Sequence, residues 1–60
     1  MYEYEISGYF FADDERIHFQ KIVKADDNIQ AMRNVIGEFA LKVSLEGKTF
    51  RLDVIHYECW

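Results

Sequence analysis

The residues whose chemistry could make a site fall in two places. His56, Glu58 and Cys59 lie close together near the C-terminal end. With His18 brought alongside by strand pairing, they would supply the nitrogen, oxygen and sulfur donors that hold zinc. On one extended strand, however, His56 and Cys59 point to opposite faces. The spacing therefore predicts two surface histidines and an isolated thiol, with no metal. Asp13, Asp14 and Glu15 form a run of carboxylates that could serve acid–base chemistry or calcium. Acid–base pairs need a cleft that shifts their pKa values, and the spacing of a calcium-binding loop is absent. A solvated turn is the expectation. Ser7 and Ser44 lack the motif of an activated nucleophile. Gly8, Gly37 and Gly47 stand apart, so no glycine-rich phosphate loop exists. The expectation is a protein that binds rather than catalyses, with no cofactor.

The elements that position these residues are marked by periodicity. Tyr2 to Phe11 alternate as a half-buried strand, with Tyr2, Tyr4, Ile6, Gly8 and Phe10 on one face. Ala12-Asp13-Asp14-Glu15 reads as a hairpin turn, and Arg16 to Ala25 as the second strand. There Lys21 interrupts the apolar face of Ile17, Phe19 and Val23, its stem lying on the sheet and its amine reaching water. Asp27 and Gln30 have the spacing of a capping box, and Asp26 adds negative charge at the positive end of the helix dipole. Ile29, Met32, Val35, Ile36, Phe39, Ala40 and Val43 then form one helical stripe. Gly37 inside that helix marks either a close backbone approach or a weak point. Glu46-Gly47 is a turn signal, and Lys48 to Cys59 reads as the last long strand. Within it, Phe50, Leu52 and Val54 alternate before Ile55 and Tyr57 take over, which predicts a bulge or an edge near Val54-Ile55. Val43-Ser44-Leu45 could add a short strand. The predicted fold is α+β, one domain over residues 1–60. It is an antiparallel sheet in the order β-β-α-β or β-β-α-β-β, with one amphipathic helix on one face.

Composition narrows the function. With 60 residues and a single cysteine, no internal disulfide can form, which suits a reducing cytoplasm better than a secreted setting. The longest uncharged run, Ile6 to Ala12, is too short to span a bilayer. The net charge of −4 opposes nucleic-acid binding and favours a basic partner. Its carboxylates gather early, at Glu3, Glu5, Asp13, Asp14 and Glu15. One helix covers only one face of the sheet. Tyr9, Phe11, Ile22, Ile55 and Tyr57, with His18, are expected on the other, as a partner or dimer surface. The predicted partner-binding residues are Glu3, Glu5, Tyr9, Phe11, Asp13, Asp14, Glu15 and Tyr57.

Two resemblances bear on the partner. Ile6-Ser7-Gly8-Tyr9-Phe10 and Phe19-Gln20-Lys21-Ile22-Val23-Lys24-Ala25 resemble the archaeal ribosomal LX domain. That domain is basic, whereas this chain is acidic. The aromatic–basic signature of RNA-binding sheet domains is also missing. The chain more closely resembles the Dmd-type antitoxins of T-even-type bacteriophages. The resemblance lies in Gly8-Tyr9-Phe10 on the first strand, Phe19 and Lys21 on the second, Asp26-Asp27 with Ile29-Gln30 at the helix start, and Val54 to Cys59 at the close. It spans nearly the whole chain. It implies an antitoxin that binds a host RnlA- or LsoA-type toxin ribonuclease directly, blocks access of RNA to its groove, and so protects phage mRNA in the bacterial cytoplasm. It implies no cofactor and no contact with nucleic acid or membrane. The alternatives are a ribosomal LX-like module and a homodimeric interaction domain. The expected oligomeric state is a monomer or weak homodimer.

Overall fold

Residue alternation along the first strand sets the layers. The computed structural model describes all 60 residues, Met1–Trp60. They form β1 (Tyr2–Ala12), β2 (Glu15–Ala25), α1 (Asn28–Leu45) and β3 (Phe50–Cys59). Both outer strands pair antiparallel with β1, giving a three-stranded sheet in the order β2-β1-β3. Tyr4, Ile6, Gly8, Phe10 and Ala12 are buried beneath α1, while Glu5, Ser7, Tyr9 and Phe11 between them are half-buried on the open face. The chain is thus an α+β fold with one helix on one face of the sheet, in β-β-α-β order. No helix is long and apolar enough to cross a membrane.

Both helix ends are fixed by local chemistry. The Asp27 carboxylate accepts from the Gln30 amide at 2.8 Å, and the Gln30 side-chain oxygen accepts from the Asp26 amide at 2.9 Å. The reciprocal bond reaches one residue further back than the capping-box spacing predicts. At the other end Gly47 takes φ 77. Its amide donates to Ser44 O at 3.0 Å, and the Lys48 amide donates to Val43 O at 3.1 Å. These two bonds are a Schellman cap, which needs a left-handed residue just past the helix. They also explain why Val43-Ser44-Leu45 form no fourth strand. Val43 is buried, and the Glu46-Gly47 turn signal closes a helix rather than a hairpin.

Phe10 is the hub of the core. Its ring centroid lies 5.8 Å from Phe19, 5.3 Å from Phe39 and 5.3 Å from Phe50, within the range of favourable aromatic packing. Ile6, Ala31 and Val35 are fully enclosed. The helical stripe departs from expectation in its first turn. Ala31 is buried, whereas Ile29 is exposed. Lys21, on the helix side of β2, pairs with Glu38 of α1.

β3 contains the predicted bulge, one position earlier than expected. Tyr9 pairs with Val54 and Phe10 with Leu52, leaving Asp53 as the extra residue. Its consequence reverses the expectation for Ile55 and Tyr57. The added residue restores the phase, so Ile55 opposite Gly8 and Tyr57 opposite Ile6 lie on the helix side with Phe50 and Leu52. Val54 passes to the open face. Gly8 makes the close approach possible. Its φ is 155, and a side-chain carbon there would overlap the Val54 carbonyl oxygen.

Gly8 and Gly37 therefore respond to substitution in opposite ways. Gly8→Ala is expected to destabilise the fold by at least about 2 kcal/mol, since both its conformation and the neighbouring backbone exclude a side chain. Nothing lies within 4 Å of a side-chain carbon built at Gly37. Gly37→Ala should stabilise the helix by about 0.5–1 kcal/mol. Urea unfolding of the two variants beside the wild type measures both.

Candidate protein-binding surface

The candidate residues divide between the two ends of the sheet. Glu3 and Glu5 project from β1 on the open face. Glu5 lies directly opposite Glu58 of β3 and accepts from the Gln20 amide group at 2.7 Å. Asp13, Asp14 and Glu15 lie at the far hairpin, ten residues along the strand from Glu3 or about 33 Å at the rise of a β-strand. The longest dimension of the molecule is 34 Å. The two acidic groups thus face different surroundings and form no single wedge. Asp13 is also committed within the fold. It takes φ 56, its amide donates to Thr49 O at 2.9 Å, and its carboxylate accepts from the Thr49 amide at 2.9 Å. This clasp ties the first hairpin to the entry of β3. Asp14 and Glu15 remain exposed.

Tyr9 and Phe11 are on the open face as expected, but each is covered. The Arg16 guanidinium sits 3.8 Å above the Tyr9 ring centre, and that of Arg51 sits 4.5 Å above Phe11, both within cation–π range. Arg16 also donates from Nε to Asp53 at 3.0 Å, and His18 meets Tyr9 edge-on at 5.1 Å. With Ile55 and Tyr57 on the helix side, the open face is mixed, with Ile22, as expected, and Val54 exposed among polar residues.

The exposed aromatic surface lies elsewhere. On the helix side Tyr4 stands between Tyr2 and Tyr57, each edge-on with ring centres 6.4 Å away. Tyr2 is 58% and Tyr57 49% exposed. Trp60 extends β3 past Cys59, its amide donating to Glu3 O at 2.8 Å while its ring stays 68% exposed. Met1 and Ile29 add exposed apolar surface. The same end of the molecule carries the carboxylates of Glu3, Glu5 and Glu58, together with Asp26 and Asp27 at the helix cap. Lys24, opposite Glu3, is the cation among them. Tyr4 reports this environment. Its hydroxyl is held above the ordinary tyrosine range by desolvation, then by the charge and hydrogen bond of Cys59, with Asp27 and Tyr2 adding to the rise.

Of the predicted partner-binding residues, Glu3, Glu5 and Tyr57 lie at this end, Tyr57 from the helix side rather than the open face. Tyr2, Glu58 and Trp60 beside them were not predicted to bind, and Asp26 and Asp27 were read as capping residues alone. They come together through the pairing of β1 with β3, a long-range contact with no local motif. His56 and Cys59 stand on opposite faces, opposite Ser7 and Tyr4 respectively, as strand alternation predicts. His18, opposite Tyr9, lies across β1 from His56, and no group of three or more His, Cys, Asp or Glu side chains is placed to hold a metal ion. No family profile, curated protein or solved structure matches the chain.

Two titrations test this electrostatic account. Tyr4 is favoured in its neutral form by folding. The stability this carries is complete below the ordinary tyrosine value and is lost as pH rises through the raised one. Tyr4→Phe should flatten that alkaline decline in urea-unfolding stability. Glu38 has a lowered pKa, chiefly from the Lys21 hydrogen bond, opposed by desolvation and aided by the charges of Lys21 and Lys42. Its contribution is present above the ordinary carboxylate value and is lost as pH falls through the lowered one. Glu38→Gln should reduce the acid dependence in the same assay.

Proposed function

We propose that this chain is a protein inhibitor of the Dmd antitoxin type, acting in the bacterial cytoplasm on an RnlA- or LsoA-type toxin ribonuclease by direct contact rather than by catalysis. One observation carries this reading. Five carboxylates, from Glu3, Glu5, Glu58, Asp26 and Asp27, share one end of the molecule with the exposed rings of Tyr2, Tyr57 and Trp60. A ribonuclease groove is basic because it holds phosphates, so an acidic end complements it. The electrostatic match speeds encounter and sets orientation. The adjacent rings supply the desolvated anchors from which most interface energy comes. Bound in this way, the inhibitor would occupy the space that RNA needs. The resemblance in Gly8-Tyr9-Phe10, Asp26-Asp27 and Val54 to Cys59 supports the same reading. The net charge of −4 weighs against the ribosomal alternative.

The placement of the carboxylates refines the expected interface. Glu3 and Glu5 belong to it with Tyr57, whereas Asp14 and Glu15 lie at the opposite end. Calorimetric titration into an RnlA-type and an LsoA-type toxin tests this. Joint substitution of Glu3, Glu5 and Glu58 by Lys should weaken binding by about tenfold or more and flatten its salt dependence. Joint substitution of Asp14 and Glu15 by Lys should change it little. Trp60→Ala should cost about tenfold on its own. Absence of binding to both toxins by the folded wild type would overturn the function. Equal losses from the two charge reversals would overturn the assignment of this end.

A further inference from the structure

We propose that the open face of the sheet docks a second copy of this chain, face to face, about a two-fold axis that crosses the strands near Gly8. The basis is one pair of opposite charges, Arg51 and Glu58, that meets across the two copies in that arrangement. One end of the open face carries Glu5 and Glu58 beside Ile22, with Glu3 opposite Lys24 beyond them, and the other carries Arg16 and Arg51. Between them lie Ser7, Tyr9, His18, Gln20, Val54 and His56. The chain has two internal salt bridges, Arg16–Asp53 and Lys21–Glu38. Arg51, Glu3, Glu5 and Glu58 therefore have no ion-pair partner of their own. Glu5 and Glu58 are directly opposed in the sheet, a like-charge pairing that costs stability unless a cation neutralises it.

A two-fold axis perpendicular to the strands lays the Glu5–Glu58 row of each copy over the Phe11 row of the other. Arg51 then meets Glu58 of the second copy, and the same contact recurs on the far side, as an isologous interface requires. An axis parallel to the strands would instead stack acid on acid. The charged rows fall at the rim and the uncharged middle rows at the centre, the usual anatomy of an interface.

The size of the face sets the strength. Three strands about 4.8 Å apart and eleven residues long offer roughly 500 Å² per copy, or about 1,000 Å² in total. That lies near the lower limit for a specific contact, so the dimer is weak and sensitive to salt. It shares Glu5 and Glu58 with the proposed toxin-binding end but not the exposed tyrosines of the helix side. Self-association is read on the chain alone and toxin binding by calorimetry, so a failure of either proposal leaves the other standing.

The test is sedimentation equilibrium at low ionic strength over a range of concentration. Wild type is expected to dimerise toward millimolar concentration and to dissociate on addition of salt. Wild type that stays monomeric throughout overturns the proposal without any variant. Arg51→Glu and Glu58→Arg, each checked for native circular dichroism, should each be monomeric alone. Mixing the two variants should restore a dimer, because both cross-copy pairs then become attractive. A folded mixture that stays monomeric would reject the geometry, as would variants that dimerise as well as the wild type. If either variant fails to fold, amide chemical shifts of the wild type on dilution decide. Changes at Ser7, Gln20 and His56 support the open face, and changes confined to the helix side or the sheet edges overturn it.

Discussion

The structure depends on a single extra residue in its last strand. β3 contains two apolar pairs that are out of phase, Phe50 with Leu52 and Ile55 with Tyr57. A regular strand would bury one pair and expose the other. The bulge at Asp53 brings both to the helix side, so Phe50 can pack on Phe10 and Tyr57 can reach Tyr4. The displaced backbone brings the Val54 carbonyl against Gly8, where only glycine fits. It also frees the Asp53 carboxylate to hold Arg16, whose guanidinium covers Tyr9. The core, the central strand and the open face thus meet at one irregularity, in keeping with bulges as designed features.

The two faces of the sheet consequently have different character. The helix side is apolar and closed at its centre by α1, and opens into exposed tyrosine at one end. On the open face, arginines lie over the rings. Cation–π stacking there shields aromatic surface without burying it under another element. A count of aromatic residues against the area of one helix overestimates the bare surface for this reason.

What the sequence made legible was whatever depends on near neighbours. The helix start at Asp27 is set by side chains within a few residues and was readable; at Glu46-Gly47 the turn was readable, but not that it closes a helix rather than a hairpin. The hairpin at Asp13-Asp14, the alternation of β1 and the opposed directions of His56 and Cys59 were readable too. The existence of the bulge was readable from the change of phase in β3, but its effect on Ile55 and Tyr57 was not, because phase alone does not say which pair moves. The composition of the candidate surface was the least legible part. Glu5 meets Glu58, and Glu3 meets Trp60, only because the first strand lies between the other two. Asp13 looked like free surface charge until its bonds to Thr49 were seen.

The central position of β1 also has a bearing on how the chain is made. Of the three strands, the first to leave the ribosome occupies the middle of the sheet, and its partner on one side is the last of them. A nascent chain can close the β1–β2 hairpin and add α1, yet one flank of β1 keeps its amides and carbonyls unpaired until β3 arrives. An open strand edge is a template for pairing with other chains, and intermediates of this kind aggregate. Arrival of β3, rather than early collapse, is the step that closes this edge.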